Sequence, residues 1–111
     1  MSNIIQFDDF AKVDLRVGTI LEVNDFPEAR NPAYQLSIDF GRLGIKKTSA
    51  QITTLYTKDE LLNRQVVAVV NFPKKQIAKF MSECLVLGAV SGKDVILLNP
   101  ETPIENGTAV N

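Results

Sequence analysis

The stretch QVVAVVNFPKKQIAKFMSECLVLGAVS, residues 65–91, decides how we expect the chain to fold. Two apolar, β-branched runs at residues 66–70 and 85–90 predict two buried strands, the second interrupted by Gly88. Between them, residues 71–83 contain Asn71, a proline and three lysines. We predict that the two strands hold this basic segment as a loop, and that the loop meets a partner.

A further strand is predicted over residues 14–24, where apolar and polar side chains alternate. Gly18 predicts a bulge or a sharp bend near the middle of that strand. Alternation and turn signals predict other strands over residues 34–40, 45–52 and 95–98. The side chains expected on one face of the first strand, with Ile20 as the exception, are Leu15, Val17, Thr19, Leu21 and Val23.

A short helix is predicted between the third and fourth strands. Thr57 and Glu60 have the spacing of a capping box, in which each side chain accepts a backbone N–H of the other residue, and the helix is expected to end near Asn63. A helix at this point in a five-stranded core is the order of the all-β OB-fold barrel. Such barrels bind nucleic acid or oligosaccharide on one face and its adjoining loops.

Residues 1–111 are expected to form one domain, since this length is near the commonest domain size. An apolar start with Asp8 or Asp9 as a helix cap, and an irregular tail over residues 99–111, predict N- and C-terminal extensions to the barrel. No apolar run approaches the roughly 18 residues of a membrane helix, which predicts no membrane insertion. The single cysteine, Cys84, favours the cytoplasm and is expected to be a small buried side chain.

The composition argues against catalysis. The chain has no histidine and one cysteine, which removes the commonest general base and any cysteine-based zinc site. It has neither a glycine-rich phosphate loop nor a nucleophile elbow. We therefore expect no enzymatic activity, no cofactor and no metal.

The charge distribution predicts an anionic partner. Residues 42–79 hold eight basic and two acidic side chains, whereas the segments on either side are acidic. RNA binding needs cations for phosphates, aromatic faces for stacking, which Phe72 and Phe80 can supply, and small polar groups that read base edges. The predicted RNA-binding residues are Lys46, Lys47, Ser49, Asn71, Lys74, Lys75, Lys79 and Ser82.

Each of these assignments has a structural alternative. The lysines can be scattered over several faces and only solvate the fold. Phe72 and Phe80 can pack in the core, Asn71 can satisfy its own backbone in a turn, and Ser82 can cap the entry to a strand.

The run FAKVDLRVG at residues 10–18 resembles the opening of the tRNA-binding domain family, which includes free-standing tRNA-binding proteins and domains appended to methionyl- and phenylalanyl-tRNA synthetases. Residues 49–52, 61–62, 69–71 and 82–83 fall where other motifs of the family fall. The resemblance covers about residues 7–110. Motifs at residues 26–30, 38–41, 49–53 and 71–73 resemble those of a protein-secretion chaperone branch of the family.

The resemblance implies an OB-fold homodimer without enzymatic activity. Through the chaperone branch it implies binding to unfolded or precursor polypeptides and to the export machinery, for which Phe72 and Phe80 are the predicted peptide-binding residues. Through the other members it implies tRNA binding as the alternative function. The predicted dimer contacts are apolar side chains at the two ends of the chain, which can otherwise fold over the barrel's own ends: Ile4, Ile5, Phe7 and Ile104.

Two departures from the family pattern favour the chaperone function. Where tRNA-binding members usually read Ser-x-Gly-Met, this chain has Ser82-Glu83-Cys84-Leu85. Where the chaperone branch often has two arginines before the isoleucine, this chain has Lys74 and Lys75. Because lysine is a point charge without arginine's bidentate fork, phosphate recognition is expected to be weaker.

Overall fold

The structure is a computed structural model that describes residues 3–111. Its helices are α1 (Phe7–Ala11) and α2 (Lys58–Leu61), with one 3-10 turn at Gly41–Leu43. Its strands, in chain order, are β1 (Leu15–Asp25), β2 (Tyr34–Asp39), β3 (Ile45–Ala50), β4 (Gln65–Val69), β5 (Lys75–Ile77), β6 (Phe80–Ser82), β7 (Leu85–Val86), β8 (Gly88–Ser91), β9 (Asp94–Leu97) and β10 (Ala109–Val110).

Five antiparallel strands form a nearly closed barrel in the order β3-β2-β1-β4-β7. The long strand β1 bridges its two halves, because it pairs with β2 along one part and with β4 along another. Helix α2 lies between β3 and β4 in the chain. The predicted OB-fold, with its short helix between the third and fourth barrel strands, is therefore confirmed.

The predicted capping box at the start of α2 is also confirmed. Thr57 N donates to Glu60 Oε1 at 2.8 Å, and Glu60 N donates to Thr57 Oγ1 at 3.2 Å. Helix α1 is capped differently from the prediction. Asp9 lies inside the helix, and its carboxylate accepts the backbone N–H of Gln6, the N-cap residue just before Phe7. Among residues 3–111, the helices are too short and too polar to cross a lipid bilayer.

The basic segment between β4 and β7 is a hairpin and not a loop. Strands β5 and β6 pair only with each other, and the turn between them contains Ala78, whose φ of 54° lies in the left-handed region. The strand predicted over residues 85–90 is divided at Gly88. Its first part, β7, completes the barrel, while β8 forms a separate hairpin with β9.

The prediction of the apolar face of β1 was wrong at Ile20 and Leu21, although Val17 is buried as predicted. Ile20, the expected exception, is fully buried in the central cluster, whereas Leu21 is 44% exposed. The reason is a bulge between Ile20 and Glu22, which shifts the pairing with β2 and lets Val23 pack on the same cluster as Ile20. An extra residue of this kind reverses the alternation on which the prediction rested.

Gly18 does not produce the bulge that was predicted there. A Cβ at this position would lie 2.6 Å from Cγ2 of Ile38 and 2.7 Å from the ring of Phe40, both fully buried. Glycine is therefore needed because the barrel core comes into contact with the backbone of β1. On the neighbouring stretch of β1, β10 from the C-terminal extension adds a short pairing at Leu15 and Arg16.

Candidate functional site

The barrel closes where residues 82–84 meet the outer edge of β3. Glu83 N donates to Lys47 O at 2.7 Å, and Lys47 N donates to the Glu83 carboxylate at 2.9 Å. One residue thus satisfies both backbone polar groups of Lys47 on the strand edge that β2 does not cover. We call this contact between residues 82–84 and β3 the seam.

Two hydroxyl groups complete the seam. Thr48 is 1% exposed, and its hydroxyl donates to Cys84 O at 2.7 Å. The Ser82 and Thr48 oxygens lie 3.0 Å apart, and Ser82 Oγ accepts the backbone N–H of Ser49 at 3.3 Å. Within residues 3–111, every buried side-chain polar atom has a partner. The buried side chains of the seam are therefore fully bonded, and most of its bonds use a side chain, whereas Glu83 N to Lys47 O joins backbone to backbone.

The charge at the seam is partly balanced. The hydrogen bond from Lys47 N, followed by the contact with Lys74, lowers the pKa of Glu83 below its ordinary value, against the opposing effect of burial. Lys74 Nζ lies 3.4 Å from the Glu83 carboxylate. Lys46 adds a weaker electrostatic contribution in the same direction. Of the predicted cations, Lys46 and Lys74 therefore lie near this carboxylate, whereas Lys47 contacts it through its backbone N–H and its role as a cation stays a prediction.

Beside the seam lies a cavity of about 320 Å³, which we call the seam groove. Three predicted RNA-binding residues line it together: Ser49, Lys75 and Ser82. Lys75 lies opposite Ser82 in the β5–β6 hairpin, which explains why the two side chains reach the same groove. Its apolar lining includes Ile52, Ile77, Cys84, Leu85, Val86 and Leu97.

Cys84 is buried, as expected. Burial raises the pKa of its thiol to about 11, so the thiol is uncharged at neutral pH. No cluster of three or more acidic, histidine or cysteine side chains suited to a metal ion occurs among residues 3–111.

A second group of predicted residues lies at the tip of the hairpin. Lys79 and Phe80 line a mainly apolar cavity of about 550 Å³ together with Phe26. The rings of Phe26 and Phe80 are 5.3 Å apart and tilted by 57°, an arrangement typical of a stabilising aromatic pair. We call this the hairpin-tip cavity. Phe26 was not among the predicted site residues, because nothing local in the sequence signals that its proline-bounded loop faces the hairpin.

Asn71 is placed apart from both groups. Its amide accepts the backbone N–H of Asp14 at 2.9 Å and donates to the carbonyl of Lys12 at 2.7 Å. The side chain therefore fixes the entry to β1, and its contact with RNA stays a prediction. Phe72, which is 52% exposed next to it, likewise stays a prediction as a peptide contact.

The predicted dimer contacts are exposed to different degrees. In the N-terminal extension Ile4 is 95% exposed and Phe7 74%, and Ile5 beside them is also exposed. Ile104 is held more firmly, because its backbone exchanges two hydrogen bonds with the Gln65 side chain, at 2.7 and 3.0 Å. The extension does not fold over the barrel end, which was the alternative.

The sequence of the chain matches the family described as "Putative tRNA binding domain" over residues 15–109. It is 40% identical over 106 residues to the methionine--tRNA ligase of Pyrococcus abyssi (strain GE5 / Orsay). That match covers 96% of this chain and 14% of the ligase, so the chain spans only a small part of the length of the curated relatives it matches.

Two crystal structures are similar over nearly their whole length. The chaperone CsaA of Bacillus anthracis str. Ames is 50% identical with a TM-score of 0.94, and the match covers 98% of this chain and 100% of that one. The CsaA chaperone protein of Picrophilus torridus is 54% identical with a TM-score of 0.91, covering 97% and 100%.

The geometry at Glu83 generates a pH-dependence prediction. Because folding lowers the pKa of Glu83, its ionised form stabilises the fold above the ordinary pKa of 4.5, and this stabilisation is lost as the pH falls through the lowered value. Glu83→Gln should cost about 1 kcal/mol at neutral pH, because glutamine still accepts the Lys47 N–H but a hydrogen bond to a neutral group is weaker than one to a charged group. The acid-induced loss of stability should then be smaller than in the wild type.

Urea unfolding at neutral pH and at several pH values below 4.5 measures both effects. Glu101→Gln is the matched control, because Glu101 is exposed in the C-terminal extension. Equal acid sensitivity of the wild type and Glu83→Gln would contradict the role given to this carboxylate.

Proposed function

Because the chain belongs to the tRNA-binding domain family, and within it is of the CsaA type, we propose that it binds structured RNA, tRNA in the first place, through the seam groove. The observation that carries the proposal is one groove lined by Lys75, Ser49 and Ser82, with Lys46 and Lys74 beside it near Glu83. The module is proposed to bind without catalysing a reaction.

The chemistry of the groove fits an unpaired part of the RNA. Lys75 is exposed on β5 and can neutralise a phosphate. The Ser49 hydroxyl can exchange hydrogen bonds with a base edge or a 2′-hydroxyl, whereas Ser82 is held by the seam, and the apolar wall can lie against the face of a base. Lys74 contributes less, because Glu83 already balances part of its charge.

A second candidate function is that of a chaperone for secretion, which binds unfolded or precursor polypeptides and the export machinery. The hairpin-tip cavity favours it, since an apolar cavity with a phenylalanine pair fits a large apolar side chain of a polypeptide. The similarity to two proteins described as CsaA chaperones supports it as well. Both candidate functions belong to the cytoplasm, and we propose that the protein acts there.

We also propose that two copies of the chain associate through the N-terminal extensions. The apolar side chains of Ile4, Ile5 and Phe7 are largely exposed, and the ring of Phe7 lies 6.1 Å from that of Phe10. A contiguous exposed apolar surface of this kind is typical of a protein interface.

The RNA proposal predicts that Lys75→Gln weakens tRNA binding. Loss of one phosphate contact should lower the affinity several-fold at low salt and reduce the slope of log affinity against log salt by about one. Fluorescence anisotropy with labelled tRNA across a salt series measures both quantities. The control is Lys58→Gln. Lys58 lies on α2, and its Nζ is 2.9 Å from the carboxylate of Asp25 on β1. Identical binding by the two variants, or no binding by the wild type, would refute the proposed site.

The chaperone proposal predicts that Phe80→Ala lowers the affinity for a reduced, carboxymethylated polypeptide that cannot fold. The expected loss is several-fold, because the variant removes one wall of the hairpin-tip cavity. Met81→Ala is the control, since Met81 is 43% exposed on the same strand and its side chain points to the other face. Unchanged binding by folded Phe80→Ala, checked by its circular dichroism, would argue against this cavity as the polypeptide site.

The dimer proposal predicts a sedimentation mass of twice the chain mass of 12.3 kDa at micromolar concentration. The double variant Ile4→Ser, Phe7→Ser should sediment as a monomer. Leu55→Ser, which changes another side chain that is 45% exposed, should remain a dimer. A monomeric wild type would exclude the proposed association.

A further inference from the structure

A third cavity adjoins the seam groove and has none of the predicted RNA-binding residues in its wall. Its volume is about 520 Å³, within the range of small-ligand sites. It shares Gln51 and Val95 with the seam groove, so the two cavities are neighbours on the barrel surface. We call it the β8–β9 cavity, after the hairpin that contributes Val90, Gly92, Lys93 and Val95.

The polar groups of this cavity differ from those of the seam in being unengaged. Asn31, Gln51 and Lys93 take no part in the side-chain hydrogen bonds or ion pairs found within residues 3–111. By contrast, Asn71 and Lys74 are both committed to partners inside the protein. Two amides and one ammonium group are thus available for a ligand.

The arrangement of these groups suits a nucleotide. Each amide offers both a donor and an acceptor, which is what the edge of an unpaired base requires. Val90 and Val95 provide an apolar surface for the face of a base. Lys93, at the turn of the hairpin, is the one cation among residues 80–111 and can neutralise a phosphate.

We propose that the β8–β9 cavity binds a second unpaired nucleotide, on the same RNA strand as the nucleotide in the seam groove. Gln51 lies at the junction, so the strand passes it between the two sites. This inference rests on the proposed RNA-binding function and extends the interface from the basic hairpin to the β8–β9 hairpin. The lining is more polar than that of the hairpin-tip cavity, and together with the two unpaired amides this favours RNA over an apolar polypeptide segment.

The test compares a mononucleotide, uridine 5′-monophosphate, with a tetrauridylate. The ¹⁵N NMR signals of the Asn31 and Gln51 side-chain amides report on the cavity, and binding titrations across a salt series report the affinity. Tetrauridylate should bind the wild type at least ten-fold more tightly than the mononucleotide and should shift both amide signals.

The variants Lys93→Gln and Asn31→Ala change exposed residues, so the fold should be retained. Each should weaken tetrauridylate binding several-fold, and Lys93→Gln should lower the salt slope by about 0.7, the value for one phosphate of a single strand. Lys58→Gln should change neither quantity, because Lys58 pairs with Asp25 and lines neither of the two cavities.

Three outcomes would overturn the inference. If both variants bind tetrauridylate as the wild type does while Lys75→Gln weakens it, the second site is wrong and the RNA function stands. If no oligonucleotide binds at low salt, both are wrong. If the unfolded polypeptide shifts the Asn31 amide signal and tetrauridylate does not, the cavity is a polypeptide site.

Discussion

The open edge of β3 is the constraint on which the rest of the structure depends. A five-stranded sheet that curls into a barrel must satisfy the backbone groups of its last strand, because unpaired groups at that edge are costly once covered. Here Glu83 binds both backbone groups of Lys47, and Ser82 accepts the N–H of Ser49. This contact fixes the β5–β6 hairpin beside β3, and so creates the seam groove and brings Lys75 to it.

The barrel could be predicted from sequence because its evidence is local. Buried β-branched runs, turn residues and the Thr57–Glu60 capping box each act within a few residues of one another. The side chains that face the core along β1 could not, because the bulge after Ile20 depends on pairing with β2. The β5–β6 hairpin was missed for a similar reason: its strands have three residues each, and its left-handed turn residue is Ala78 and not glycine.

For the candidate site, the sequence predicted which kinds of residue take part but not how they are arranged. The excess of lysine identified the basic centre of the chain, but it could not separate Lys74, which faces Glu83, from Lys75, which lines the groove. The hydrogen bond from Asp14 to Asn71 joins residues 57 positions apart, so the sequence contains no local signal for it. Asn31 and Lys93 were not predicted because they lie outside the most basic segment, and Gln51, which lies inside it, has no charge.

The seam has a genetic consequence, because most of its bonds are made by side chains. A ladder hydrogen bond joins two backbones, and few substitutions other than proline can remove it. The Ser49–Ser82 contact and one of the two Lys47–Glu83 contacts can each be weakened or removed by a single ordinary substitution. Point mutations can therefore adjust how firmly the basic hairpin is attached without altering the barrel strands, which makes the mobility of the binding surface a separately evolvable trait.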